Sequence, residues 1–469
     1  MNGAVDLRAM AADKPVHFMG IGGAGMYPLA ELLLRSGGRV SGCDAKESRA
    51  VQRLRSLGAT VSVGHDPSHV ADASAVVATA AVPSGHPELS AARAAGLPVL
   101  KRAEALGAWV RHGTVVGIAG THGKTTTTAM ATEILAASDA DPTGIVGGHV
   151  SAWEGNLRFG AADLFVVEAD EYDRSFLTLS PDVAVVTNLE ADHLDIYGDL
   201  EGVRRGFLDF IAGVRGGGRV IVCADDHGAS SLLPSIGSVG YTYGTRAGSM
   251  LRATDIRVED GVTRATLHEE GRSAGELALP MGGRHNLLNA LAAVAASRAL
   301  NTGWDAVFRA LATFRGIGRR FERLGEARGV VVVDDYGHHP TELAAALRAA
   351  RATYPGRRIV AVFQPHLFSR TRDFAREFGE ALAMADSVWL TDIFPAREEP
   401  IPGVTGDTLV QTARAAGADP LTYVSDLDDL PLRLADEVRE GDVVLTLGAG
   451  SIERVGPALL DVLGEPAHA

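Results

Sequence analysis

Only two cysteines, Cys43 and Cys223, occur in the 469 residues, and neither sits in a paired-cysteine spacing. That excludes a disulfide framework and gives no signal for a structural zinc site. It fits a reducing compartment, so a cytoplasmic location is expected. Net positive charge is also lacking. At a formal charge of -14, with no local stripe of Lys and Arg, a broad nucleic-acid surface is excluded because phosphates would be repelled. Any anion must be met in a local pocket. No run of about 18 apolar residues occurs. The N-terminus MNGAVDLRAMAADKPVHFMG carries no basic segment followed by a long apolar stretch, so neither a membrane partner nor secretion is expected. Nothing in the sequence implies a stable protein partner.

What is present is the material of several ordinary cores: 46% hydrophobic and 22% charged residues, over a length that suggests about three domains. From Val16 to Leu100, short apolar runs (VHFMG, RVSGCD, AVVATA, PVL) alternate with amphipathic stretches, the mark of βαβ units on a parallel sheet. A second series opens with TVVGIAG and continues through LFVVEAD, VAVVTNLE and GRVIVCADD, closing near GIGRRFERLG. A third runs through GVVVVDDY, RRIVAVFQ, SVWLTDIF and GDVVLTLGAG. The expected fold is α/β with three domains, each on a mostly parallel sheet, at residues 1–111, 112–324 and 325–469. The first and third are read as Rossmann-like and the central one as a P-loop ATPase domain.

Three constellations carry chemistry. Gly20, Gly22, Gly23 and Gly25 follow the strand VHFM and precede a helix, with Asp44 at the end of the next strand. This is a G-x-G-x-x-G turn that lets backbone approach a diphosphate beside a ribose. By itself the motif points to NAD and an oxidoreductase, yet a UDP-sugar also offers a diphosphate beside a ribose. Next, Gly120-Thr121-His122-Gly123-Lys124-Thr125-Thr126 follows the strand TVVGIA. Its N–H groups suit phosphates, Lys124 the outer phosphate charge, and the Thr125 hydroxyl a magnesium ion. Ile118 stands where a strict P-loop has its first glycine. Finally, Glu168 ends the strand LFVVE, and Asn188, Glu190, Asp192 and His193 follow VAVV, positions where metal and phosphate ligands collect in an α/β sheet. The acidic cluster reads equally as a helix N-terminus. An oxidoreductase leaves the second and third constellations unexplained. A binding protein gated by ATP would need the same loop but no turnover.

The stretches HFMGIGGAGM, GTHGKTTTT, EADEYDRSF, TNLEADHLD, GRHNLLNAL, RRFE, DDYGHHPTE, FQPHLFSRTRDF and PAREEPIPG, in that order, resemble the Mur ligase family over nearly the whole chain. The resemblance implies an N-terminal domain that holds a UDP-sugar, a central ATPase domain, and a C-terminal domain that receives an amino acid and closes over the site. It implies ATP and Mg2+ as cofactors, with UDP-N-acetylmuramate and L-alanine as the substrates joined. Residue by residue, Gly120 to Thr126 would wrap ATP, while Thr125, Glu168 and His193 would hold magnesium. Asn286 and Asn289 would face adenine, though both could equally cap their own helix. Arg320 and Asp335 would reach the nucleotide, and Tyr336, His338 and Arg370 would form the L-alanine pocket. Lys124, His193 and His338 are the catalytic candidates, the last two as alternative bases. Two departures follow. Leu208 stands where some relatives carry a carbamylated lysine, so no such modification is expected. Leu367 stands where some have an arginine.

Overall fold

The computed structural model describes residues 5–79, 82–259, 261–396 and 398–464; Arg397 of the PAREEPIPG stretch lies outside them. Its strands gather into three sheets. The first holds β1 (Val16–Met19), β2 (Val40–Asp44), β3 (Thr60–Val63), β4 (Ala75–Ala78) and β5 (Val99–Lys101), in the order β3-β2-β1-β4-β5. All of its pairings are parallel. The chain leaves β1 to one side and later crosses to the other, so the carboxyl end of β1 is a topological switch point, where such sheets open a ligand crevice.

The second sheet comprises β6 (Thr114–Ala119), β7 (Thr143–Val150), β8 (Gly155–Arg158), β9 (Leu164–Glu168), β10 (Val183–Val186), β11 (Arg219–Cys223), β12 (Gly240–Gly244), β13 (Leu251–Glu259), β14 (Val262–Glu269) and β15 (Arg272–Leu279). Its order is β15-β14-β13-β12-β11-β10-β6-β9-β7-β8. Parallel β9 and β10 flank β6, giving a second switch point at the end of β6. The strands β13 to β15, joined by two-residue connections that only antiparallel neighbours permit, are not foreseen by the sequence reading.

The third sheet is β16 (Glu322–Ala327), β17 (Val330–Asp335), β18 (Ile359–Phe363), β19 (Ser387–Leu390), β20 (Leu421–Tyr423) and β21 (Val443–Leu447), ordered β16-β17-β21-β18-β19-β20. Only β16 is antiparallel. Its hairpin with β17 turns at Gly329, where φ is 73°. The expected domain boundary at 324/325 therefore falls within β16. Val331, Val333, Ala361, Phe363 and Leu445 pack on one face, and Val330, Val332, Val360, Val362 and Val444 on the other. A strand buried on both faces has no polar side to show, which is why these segments read as unbroken apolar runs.

The chain forms two compact units, one with the first two sheets and one with the third. The outer segments Asp255–Ala265 and Glu276–Leu287 belong to the latter.

Candidate active site

At the end of β1, Gly20 and Ile21 donate their N–H groups to the Cys43 carbonyl at 2.8 and 3.1 Å, tying the glycine turn to β2. Asp44 accepts from Gly22 N at 2.8 Å. Gly20, Gly22, Gly23, Gly25 and Asp44 then line one open cavity of about 470 Å³. Lys46, Ser48, Thr79 and Arg102 are among its other lining residues. Two cations beside a glycine turn suit an anionic ligand, and neither was singled out from the sequence. Arg102 begins the helix Arg102–Val110, far along the chain from the turn.

At the end of β6 the loop has φ of 144° at Gly120 and 79° at Gly123, and both places exclude a side chain. A Cβ on Gly120 would come within 1.9 Å of Thr187 Oγ1, and one on Gly123 within 2.2 Å of Asn289 Oδ1. Asn289 is thereby set against the phosphate loop. Asn286 instead donates from Nδ2 to Gly282 O at 2.9 Å, a bond within its own turn. The segment after β10 staples the loop: the Asn188 side-chain Oδ1 accepts from His122 N at 2.7 Å, and Thr121 Oγ1 accepts from Glu190 N at 3.0 Å. Thr126 is buried in the first helical turn.

Lys124 Nζ donates to Gly120 O at 2.7 Å and to Glu171 Oε1 at 2.9 Å. Burial works against its ammonium, but Glu171, Asp170 and Glu168 outweigh that and hold its pKa above the ordinary value. Burial lifts Glu171 itself to about 7, against the pull of Lys124. Thr125 Oγ1 donates to Glu168 Oε2 at 2.9 Å, and Gly147 N donates to the same oxygen at 2.7 Å. A hydroxyl and a carboxylate this close, both hard oxygen donors, fit a magnesium ion that keeps most of its waters. His193 Nε2 is 3.8 Å from Glu171 Oε1. Its ring meets Tyr172 edge-on at 5.1 Å. Glu171, three residues beyond Glu168, is the residue that sequence reasoning passed over; it lay within the quoted EADEYDRSF.

In the third domain, the ends of β17 and β18 bring a second group together. The Tyr336 and His338 rings are 5.4 Å apart, and His338 and His366 5.8 Å apart. Arg370 Nη1 lies 3.4 Å from His366 Nδ1. His366 was quoted in FQPHLFSR but given no role. Arg370 is buried in the short helix Phe368–Asp373, which starts after Leu367 at a φ of 72°, a region that L side chains rarely adopt. Arg319 and Arg320 stack on the Tyr336 ring at 5.0 and 5.1 Å. Asp335 accepts from Phe321 N at 2.8 Å and from Gly337 N at 2.7 Å. Burial raises it to about 6 against the opposing charge of Arg320.

Three family models match in the order of the three sheets. They are the catalytic domain of the Mur ligase family over residues 15–114, the Mur ligase middle domain over 118–297, and the Mur ligase glutamate ligase domain over 319–450. A UDP-N-acetylmuramate–L-alanine ligase of Trichlorobacter lovleyi is 45% identical over 448 residues, covering 95% of this chain and 98% of its own. The crystal structure of a UDP-N-acetylmuramate–alanine ligase from Thermotoga maritima aligns with a TM-score of 0.79 at 28% identity, covering 96% of this chain and 99% of the other. A murein peptide ligase from Psychrobacter arcticus shares the fold, with a TM-score of 0.69 at 24% identity over 97% of this chain and 100% of that one. With three successive domain models matched and near full-length identity of 45%, the chain belongs to the Mur ligase family.

Proposed function

We propose that this ligase joins L-alanine to the lactyl carboxylate of UDP-N-acetylmuramate, giving UDP-N-acetylmuramoyl-L-alanine, ADP and phosphate, in the cytoplasmic synthesis of peptidoglycan precursor. The Trichlorobacter and Thermotoga proteins carry that activity in their names. Within the chain, the observation that carries the reading is the loop in which Lys124, anchored at Gly120 O, stands beside the Thr125–Glu168 oxygen pair.

A carboxylate is a poor electrophile, so amide formation needs it activated. In the proposed course the ATP γ-phosphoryl passes to the muramate carboxylate, the amine attacks the acyl phosphate, and the tetrahedral oxyanion collapses with loss of phosphate. Such transfer is largely positioning and electrostatics. The N–H groups from Gly120 to Thr126 would cradle the phosphates, and Lys124 would meet the charge on the transferring group. Thr125 and Glu168, with His193 as the candidate for a second ion, would hold magnesium, which supplies further neutralisation of phosphate charge. Gly20 to Gly25, Asp44 and Arg102 would receive the UDP-sugar diphosphate and ribose. Arg370 would grip the alanine carboxylate through its planar fork, with Tyr336 and His338 beside it. His338 and His193 remain alternative acceptors of the amine proton.

The test is phosphate release with ATP, magnesium and UDP-N-acetylmuramate, scanned over amino acids. Release that needs both the UDP-sugar and L-alanine is the expected result. Release independent of both, or none with L-alanine, would overturn the reading.

A further inference from the structure

Below the glycine turn, the first sheet carries a polar cluster that the ligase chemistry leaves unused. In the parallel register His17 lies beside Ser41, and Met19 beside Cys43. Residues two apart in a strand share a face, so His17 and Cys43 look to the same side of the sheet. That side is covered by the turn Pro67–Val70 and the helix Pro87–Ala94, which bring His69 and Glu88. Potential ligand atoms of His17, Cys43, His69 and Glu88 all lie within 4.8 Å of one another. Glu88 is fully buried, and its carboxylate accepts from Cys43 Sγ at 3.2 Å and Asp66 N at 2.9 Å. His69 Nδ1 is 2.8 Å from the same carboxylate. His17 is 1% exposed. Its Nδ1 is taken by Ser41 Oγ at 3.1 Å, while its Nε2 is buried with no partner among the described residues.

We propose that His17, Cys43, His69 and Glu88 form a four-ligand site for a zinc-class divalent ion, separate from the nucleotide's magnesium. The donor set decides the class. Two imidazoles, a sulfur and one carboxylate are the ligands of zinc, whereas magnesium demands oxygen. A tetrahedral ion with ordinary zinc bonds holds its ligand atoms about 3.3–3.8 Å apart, inside the 4.8 Å within which the cluster's ligand atoms lie. The orphaned Nε2 of His17 is what a ligand nitrogen looks like before metal arrives, because a buried polar atom without a partner is costly. The Ser41 bond to the other nitrogen fixes the ring as outer-shell partners of metal-bound histidines do. Metal uptake breaks the Cys43 S–H bond, forms the metal–sulfur bond and releases that proton to solvent. His65 Nδ1 lies 3.2 Å from both Cys43 Sγ and Glu88 Oε2, and the His86 ring centroid is 5.0 Å from that of His65.

The placement gives the ion a purpose. Cys43 O is the acceptor for Gly20 N and Ile21 N, so an ion on Cys43 braces the strand end that carries the glycine turn and Asp44. The pairless cysteine that gave no zinc signal in sequence becomes a ligand because its partners arrive from three other elements.

The experiment uses the full chain, stripped with a chelator, and then titrated with Zn2+ against a chromophoric zinc indicator and separately with Co2+. Magnesium and a non-hydrolysable ATP analogue are kept saturating. One equivalent of Zn2+ and a thiolate-to-cobalt charge-transfer band are expected. The band should vanish in Cys43→Ser, and Zn2+ affinity should fall at least about ten-fold in His17→Asn and in the milder outer-shell variant Ser41→Ala. A folded wild-type chain that takes up no stoichiometric zinc and shows no thiolate–cobalt band would overturn the site and leave a hydrogen-bonded cluster only. Binding that persists unchanged in both Cys43→Ser and His17→Asn would do the same.

Discussion

Lys124 and Glu171 form an ion pair inside the nucleotide loop, with Nζ 2.9 Å from Oε1 and 2.8 Å from Oε2, and their side chains are only 13% and 3% exposed. From the sequence, Lys124 reads as an exposed loop charge that can be removed without harm to the fold. The pair changes that expectation, because removing Lys124 leaves the Glu171 carboxyl buried without its partner, where burial already favours its neutral form. Lys124→Ala should lower kcat at least about 100-fold, the loss of one preorganised group on a developing charge, and should also destabilise the central domain by about 3 kcal/mol. The double variant Lys124→Met with Glu171→Gln should regain most of the stability in thermal melts and none of the turnover. Activity regained along with stability would remove Lys124 from the chemistry.

Thr125 and Glu168 should separate the metal requirement from nucleotide binding. Thr125→Ala deletes the hydroxyl but leaves the loop N–H groups, so the magnesium concentration for half-maximal rate should rise about ten-fold or more. Thr125→Ser should restore it. Equal magnesium dependence in wild type and Thr125→Ala, measured by phosphate release, would take the ion away from this pair.

How much of this was legible in sequence depends on the physical signal each element leaves. The parallel strands, such as β17 and β18, are buried on both faces and announce themselves as apolar runs. The glycine turns are legible because only glycine fits where Thr187 and Asn289 crowd the loop. By contrast, β13 is exposed from Asp255 onward and carries Arg257 and Glu259, so its pattern is broken by charge. Glu171 meets Lys124 across 47 positions of sequence, from the loop that follows β9, a pairing that no composition rule foresees. His17, Cys43, His69 and Glu88 share no spacing; only the register of β1 on β2 and the covering helix unite them.

Arg370 should decide alanine affinity through shape rather than charge. Its guanidinium is buried beside His366, and Lys there would keep the charge but lose the two-pronged geometry that matches a carboxylate. Arg370→Lys should raise the KM for L-alanine at least about ten-fold and leave the KM for ATP within about two-fold. A matched rise in both would show that the change acts on the fold and not on a carboxylate pocket.

Asp335 makes stability depend on pH in a defined direction. Its carboxyl is raised from 3.8 to about 6, burial outweighing Arg320 and the N–H groups of Gly337 and Phe321. The folded state therefore holds this proton over a range in which the unfolded chain has released it. Stability from this group is fully present below about pH 4, and it is lost as pH rises through 6, a change of about 3 kcal/mol for a shift of about two units. Asp335→Asn removes the titration while keeping the side chain's size. The variant loses one acceptor for the Phe321 and Gly337 N–H groups, which adds a penalty that does not vary with pH. Melting temperatures measured from pH 4 to 8 should show the variant gaining on wild type as pH rises, most steeply between pH 4 and 6. Curves that run parallel across that range would mean that Asp335 is ionised in the folded state, and that Arg320 outweighs burial at this position.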